Sequence, residues 1–323
     1  MQNIDIYVDV IDNFWDMWFA FDIAKNLIKN DENRFIRFFW NDKELFLKLS
    51  WNKDILNIKY FDLTEINALK PSEIILNFFD RKIDYDFLNK FEFNINLIIF
   101  WYFWIHNWIQ SLHNTFYEQK NVSVTHFIPS VLENTGWIIL QDFWKNITKK
   151  SFFPWKNDDF YQKNWISVFV YPETFEIIKD LILKDKENLY FIFDDRNKLS
   201  WENIIQMPFL EIDEYYNFLK VCQKNIVRGE NSFIKAILAW KPYLWDIYKE
   251  PNNQHIYKID EFWDFLWDDK YKEILKIFNL KDKKSWLEKF LSFENNDFFE
   301  NKSKYILKNC DLMKNLEKLI QKK

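Results

Sequence analysis

Three observations predict an α/β protein built from two doubly wound halves that face a cleft. Strand-length apolar runs alternate with helical periodicity from Ile4 onward, and the alternation starts afresh at Trp165. The length, 323 residues, suits two α/β units of ordinary size. The segment from Asn225 through Arg228, Gly229 and Glu230 to Ala236 reads as a buried strand, a tight turn and a helix. Open parallel sheets bind ligands at such turns, at the carboxyl ends of their strands. The expected division is 1–158, with the helix at about 305–323 folding back onto it, and 159–304.

The elements follow in order. Ile4 to Val10 is an apolar strand, a turn covers Asp12 to Trp15, and a helix runs from about Asp16 to Lys29. Arg34 to Phe39 is a second strand and Asp42 to Leu49 a helix. Ile55 to Phe61, Ser72 to Phe79 and Asn94 to Phe100 are the third to fifth strands. Strands and loops run from Tyr102 to Leu140, and Phe152-Phe153-Pro154-Trp155 opens a linker. The second half has strands at Trp165 to Tyr171, Asn188 to Phe193 and Pro242 to Tyr248, and helices at Pro172 to Leu183 and Asp213 to Val221. Four helical patterns follow Ile259.

Composition excludes several classes. The net charge is −5 with both signs interspersed, and no basic patch is dense enough for nucleic acid. Cys222 and Cys310 lack metal-ligand spacing and fit a reduced, cytoplasmic setting. Asp5, Asp9 and Asp12 interrupt any secretory signal. The longest apolar run, Leu97 to Ile105, is about half of what a spanning helix needs. No metal and no membrane are expected. His106, His113, His126 and His255 have no ligand spacing and read as structural, and the aromatic and leucine stripes of the C-terminal helices read as core.

The turn at Gly229 carries the clearest chemistry. Helix N-termini present unpaired N–H groups and the positive end of the dipole, which together bind anions. Gly229 lets a phosphate approach the backbone, Arg228 is a charge partner for it, and Glu230 is an acceptor suited to sugar hydroxyls. An ordinary strand–turn–helix with a capped helix is the plain alternative.

The chain holds 2 glycines and 17 tryptophans. Average usage would give about 23 glycines, a number that the two types together approach. Several tryptophans sit where a turn wants glycine: Trp15 after Asp12-Asn13-Phe14, Trp51 after the helix ending at Leu49, and Trp240 between Ala239 and Lys241-Pro242. The expectation is that most of these tryptophans are glycines in the native protein, from a UGA codon read as glycine.

With glycine at 15 and 18, Asp12-Asn13-Phe14-Trp15-Asp16-Met17-Trp18 resembles the D-N-F-G-D-x-G string of the EarP family, the elongation factor P arginine rhamnosyltransferases. Further matches come in family order. Phe169-Val170-Tyr171 resembles F-x-Y, and Met207-Pro208-Phe209-Leu210 resembles L-P-F-L/V. Asn225 to Phe233 resembles N-F-V-R-G-E-D-S-F, and Lys241 to Tyr248 resembles G/R-x-P-F-V-W-H-I-Y. Thr135-Gly136-Trp137 resembles a T-G-G turn, and the matches span about residues 3 to 270.

The resemblance implies a GT-B fold, a TDP-β-L-rhamnose co-substrate, no cofactor or metal, inversion at the anomeric carbon, and an arginine of translation elongation factor P as acceptor. Carried over, Asp16 is the general base, Asp12 its neighbour and Glu230 a second essential acid. Asn13, Phe14 and Trp15 contact the donor from the same turn. Arg228, Gly229, Glu230, Asn231 and Ser232 hold diphosphate and ribose, Phe169, Tyr171 and Phe209 frame the thymine, and Tyr248 reaches the diphosphate. A guanidinium is a delocalised, permanently protonated nucleophile, so a carboxylate must orient it and take its proton. Capping of the following helix would equally account for Asp12 and Asp16 taken alone. The chain departs from the family at Asn231, which replaces Asp, and at Ile212, which replaces Gln and leaves base recognition there to backbone. Ile99-Phe100-Trp101-Tyr102 lacks the Glu of N-L-E-Y. A non-catalytic nucleotide-sugar-binding module and a GT-B transferase with another sugar or acceptor remain open readings.

Overall fold

The computed structural model describes residues 2–9, 15–50, 56–79, 81–139, 147–194, 199–249, 254–266, 269–280, 282–294 and 296–321. Two compact units divide the chain: Met1–Leu140 with Cys310–Lys323, and Gln141–Asn309. Among the described residues no helix is long and apolar enough to cross a membrane.

The first unit contains β1 (Gln2–Val8), α1 (Trp15–Asn30), β2 (Arg34–Trp40), α2 (Lys43–Leu49), β3 (Ile58–Asp62), a 3-10 helix (Leu63–Ala68) and β4 (Ile74–Phe78). It continues with α3 (Tyr85–Leu88), β5 (Ile95–Phe100), α4 (Ile109–Leu112), β6 (Phe116–Gln119) and β7 (Val122–Phe127). Its sheet has the order β3-β2-β1-β4-β5-β7-β6 and is parallel except for β6, which runs antiparallel to β7. Central parallel strands are covered on both faces. Accordingly Ile4, Ile6 and Val8 are buried, and so are Asp5 and Tyr7 between them.

A buried carboxylate needs full compensation. Asp5 pairs in register with Arg37 of β2, receives two 2.7 Å hydrogen bonds from its guanidinium, and accepts from Ser72 N at 2.9 Å and Ser72 Oγ at 2.7 Å.

The second unit contains α5 (Lys149–Phe152), α6 (Asp158–Gln162), β8 (Asn164–Val168), α7 (Pro172–Lys184), β9 (Asn188–Ile192), β10 (Ile204–Gln206), α8 (Ile212–Val221), β11 (Lys224–Arg228), α9 (Gly229–Leu238) and β12 (Tyr243–Asp246). Then come α10 (Gln254–Leu266), α11 (Asp269–Leu280), α12 (Lys283–Leu291) and α13 (Asn296–Asn309). The five strands, in the order β10-β9-β8-β11-β12, are all parallel.

The last helix, α14 (Leu312–Gln321), belongs to the first unit. Glu317 takes both ends of the Arg34 guanidinium at 2.6 Å, and Leu319 O accepts from Asn96 Nδ2 at 2.9 Å. Its apolar stripe of Leu312, Met313, Leu316, Leu319 and Ile320 is buried.

Several expectations shift. The division falls after residue 140 rather than 158, and after 309 rather than 304. The reason lies at the expected linker, where Phe152, Phe153 and Phe160 pack on a core that includes Trp165, Phe191 and Phe218. The aromatic content that reads as a tether therefore closes the end of the second sheet. β10 is an additional three-residue edge strand, too short to stand out in the sequence. The four helical patterns expected after Ile259 are α11 to α14, and α10, which contains Ile259, begins earlier, at Gln254.

The tryptophans fall into different environments. Trp165 and Trp245 are fully buried, Trp165 donating its Nε1 hydrogen to Phe160 O and Trp245 stacking on Phe233 with centroids 4.0 Å apart. Trp18 is also buried. Trp240 and Trp137 instead adopt φ of 65° and 66°, the left-handed conformation that favours glycine, as does Phe79 at 61°. Trp240 follows the last residues of α9, at the glycine position of a helix stop, and its buried Nε1 lacks a hydrogen-bond partner. Trp51 and the segment 10–14 lie outside the described residues.

Trp240→Gly should therefore stabilise the protein. Relief of left-handed strain contributes roughly 1–3 kcal/mol, an upward shift in melting temperature on the order of 2–10 °C. The proposal that UGA is read as glycine further predicts glycine mass at residue 240 in peptides from the native protein. Tryptophan mass there, or a lower melting temperature for the variant, would refute it.

A second prediction concerns acid stability. His113 is buried, and its Nδ1 accepts the Ile128 N–H at 3.0 Å. Burial holds its pKa down at about 4, against 6.5 for a free imidazole. The unfolded chain thus binds a proton between these values while the native state does not. The contribution of His113 is complete above about pH 6.5 and is lost as pH falls toward 4, by roughly 3 kcal/mol at most. Melting curves of His113→Gln should be flatter over that range than those of the parent. Parallel curves would remove His113 as the cause.

Candidate functional site

In the second unit the strand order reverses between β8 and β11, which lie side by side with Ile226 opposite Val168. The chain leaves β8 through Phe169-Val170-Tyr171 into α7, and leaves β11 through Arg228-Gly229 into α9. Ligand sites of doubly wound sheets form at such reversals.

Arg228 is the centre of this edge. Its guanidinium carbon lies 4.4 Å from the Phe169 ring centroid and 5.1 Å from that of Tyr171, and Nη1 donates to Val170 O at 3.2 Å. The aromatic faces and the carbonyl stabilise the cation while fixing its direction. Gly229 turns the chain with φ 65° and starts the ten-residue helix α9, in whose first turn Asn231 and Ser232 are buried. Glu230 keeps about a third of its side chain exposed and is 3.4 Å from the Lys258 ammonium of α10.

Further aromatic rings pack on Phe169 and Tyr171. Phe169 meets Phe193 and Tyr215 edge-on, with centroids 6.1 and 6.0 Å apart. Tyr215 is buried, which pushes its hydroxyl pKa well up. Tyr248 meets Tyr171 edge-on at 6.0 Å and is half exposed. Phe209 is exposed in the loop before α8, and Ile212 is the first residue of that helix. The arrangement offers apolar faces for a base, a directed cation and helix N–H groups for a diphosphate, and a carboxylate for hydroxyls. Sequence reasoning missed Phe193, Tyr215 and Lys258. Phe193 and Tyr215 look like core residues in sequence, and Lys258 is one of many lysines.

In the first unit the order reverses between β1 and β4. β1, ending at Val8, is thus one of the two strands at the switch point of that sheet. Asp12, Asn13 and Phe14 fall outside the described residues, and Trp15 and Asp16 open α1. Among the described residues no group of three or more His, Cys, Asp and Glu could hold a metal ion.

Residues 176–321 match the family model of the elongation factor P (EF-P) rhamnosyltransferase EarP. The chain is 36% identical over 61 residues to a protein-arginine rhamnosyltransferase of Neisseria meningitidis, which covers 19% of this chain and 16% of the relative. It is 41% identical over 56 residues to one from Pseudomonas aeruginosa, which covers 17% and 15%. The matched stretch thus spans about a sixth of these relatives' length.

Similarity to solved structures is broader but shows the fold alone. A chain from work on EarP-mediated arginine glycosylation of EF-P superposes with TM-score 0.58 at 14% identity, covering 99% of both chains. The spinosyn rhamnosyltransferase SpnG superposes with TM-score 0.60 at 8% identity, covering 99% of this chain and all of the other. Both units are Rossmann-like, and the fold is that of the GT-B glycosyltransferases.

Gly229→Ala should destabilise the second unit. A Cβ at φ 65° costs about 1–2 kcal/mol, so thermal unfolding should shift down by a few degrees. An unshifted transition would mean that the turn relaxes out of the left-handed region at no cost.

Proposed function

We propose that this chain, a member of the EarP family through residues 176–321, transfers rhamnose from TDP-β-L-rhamnose to an arginine of translation elongation factor P with inversion. The observation that carries the reading is the Arg228-Gly229 turn, a guanidinium clasped by Phe169 and Tyr171 at the start of α9. It suits a nucleoside diphosphate leaving group, whose charge grows as the glycosidic bond breaks.

In this reading the diphosphate rests on Arg228, the N–H groups of α9 and Ser232. The thymine lies among Phe169, Tyr171 and Phe209, and Tyr248 reaches the diphosphate. Glu230 takes a sugar hydroxyl, its charge balanced by Lys258 until the donor arrives. Asp16, with Asp12 in the same turn, orients the acceptor guanidinium. As the nitrogen–carbon bond forms and the carbon–oxygen bond to the diphosphate breaks, Asp16 accepts the nitrogen's proton and TDP departs. Asn13, Phe14 and residue 15, as glycine, line the sugar. No metal is required, and the reaction belongs in the cytoplasm with its acceptor.

The test uses protein with glycine at positions 15 and 18, co-expressed with EF-P. Intact mass of EF-P should gain one deoxyhexose, located on arginine. Asp16→Asn should bind TDP almost unchanged and transfer nothing, because the lost interaction belongs to the transition state. Arg228→Ala should weaken TDP binding about tenfold or more, as expected for one charge-assisted contact. Normal transfer by Asp16→Asn, or normal TDP affinity of Arg228→Ala in calorimetry, would reject the respective role.

A further inference from the structure

β12 ends on a charge. Tyr243, Leu244 and Trp245 are apolar and buried, and Asp246 beside them is buried too. It lies in register with Arg228 on the neighbouring strand. Its carboxylate is taken up by three other groups. Oδ2 accepts the backbone N–H of Tyr171 at 2.9 Å, and Oδ1 accepts from Thr174 Oγ1 at 3.0 Å and from Lys283 Nζ at 2.8 Å. Tyr171 is the N-cap of α7 and has no capping side chain of its own. Asp246 thus serves from another strand as the acceptor for the turn that carries both rings of the Arg228 clasp.

Lys283 exists in this site only as a counter-charge. It is buried on α12, with its ammonium 4.2 Å from the Phe278 ring centroid. Burial pushes its pKa down, and the adjacent Asp246 opposes the shift. Asn279 fixes the strand end on both sides of Asp246, accepting from Ile247 N at 3.1 Å and donating to Trp245 O at 2.8 Å. The carboxylate therefore has one position, and the Phe169–Tyr171 turn is built on it.

We infer that Asp246, neutralised by Lys283, is a positioning residue of the nucleotide-diphosphate site: it holds the Tyr171 turn, and through the rings of that turn it sets the direction of Arg228. The inference rests on the donor reading given above and assigns to the site two residues that do not touch the ligand. A hydrogen-bonded buried ion pair gives little net stability against an apolar replacement, but it fixes geometry. Small misplacements of a binding group cost large factors in function.

Three readouts separate positioning from plain stability: TDP affinity by calorimetry, amide exchange at residues 169–174, and melting temperature. Asp246→Ala should bind TDP about tenfold more weakly, with faster exchange in that turn. The double variant Asp246→Leu, Lys283→Met removes both charges. It should recover the melting temperature lost by Asp246→Ala, yet keep the weak affinity and fast exchange, because the Tyr171 N–H still lacks its acceptor. If Asp246→Ala does not fold, the double variant decides alone. Recovery of TDP affinity together with stability in the double variant, or parental affinity in a folded Asp246→Ala, overturns the inference. Arg228→Ala is measured alongside. If it loses affinity while the Asp246 variants keep theirs, only the positioning role falls. If it also binds like the parent, the donor site itself is elsewhere.

Discussion

The second unit depends on placing one cation at the end of a buried parallel strand. Arg228 closes β11, whose preceding residues Asn225, Ile226 and Val227 are buried. Charge in such a place is costly unless polar or polarisable groups receive it. The adjacent turn supplies them with two aromatic rings and one carbonyl, all from Phe169-Val170-Tyr171. Everything else at the edge follows from that contact. Gly229 must take a left-handed φ so that the chain can leave the strand and enter α9 with its N–H groups open. Phe169 must be backed by Phe193 and Tyr215 to keep its face toward the guanidinium.

The first unit solves the same problem by a different route. Asp5 and Arg37 occupy opposed positions on neighbouring central strands, so their pairing is fixed by sheet register. Ser72 completes the shell of Asp5 from the residues leading into β4. Arg34, at the start of β2, is answered from far along the sequence by Glu317. That contact ties the chain's last helix to the sheet on which its first strand lies. These pairs add modest stability for their desolvation cost, yet each admits one arrangement of its elements. The first does so for β1 and β2, the second for β2 and α14.

Much of this architecture was legible in the sequence because its signals are local. Apolar runs gave β1, β2, β4, β5, β8, β9, β11 and β12 to within a few residues, and Pro172 marked the start of α7. The short strand β10 and the packing role of Phe152, Phe153 and Phe160 were not legible, since both depend on what the neighbouring strands offer. At the site, Arg228 and Gly229 announced themselves through a strand–turn–helix pattern. Asp246 did not. An acidic residue following Trp245 looks like the ordinary polar end of a strand, and only the fold brings the Tyr171 N–H and Lys283 to it. Its partner lies 37 residues along the chain, on a helix whose own periodicity gives no reason for a buried lysine at its first position.

The two glycines of the chain bear on how the tryptophans should be understood. Each serves where a side chain meets an obstacle. A Cβ on Gly136 would lie 2.5 Å from Phe127 and 2.8 Å from the Ile128 carbonyl oxygen, and Gly229 has φ 65°. Trp137 directly follows the first and takes φ 66°, and its carbonyl accepts from Ser130 N at 3.1 Å. Trp240 ends the helix that Gly229 begins and takes φ 65°. The backbone thus makes the demands of an ordinary α/β protein: left-handed residues at a helix end and at tight corners. What is unusual is which side chains stand at them. Trp165 and Trp245 meet the opposite demand, since each fills core volume that a glycine would leave empty. Composition alone treats all seventeen tryptophans as one population, whereas backbone conformation and packing separate positions that require the absence of a side chain from positions that require a large one.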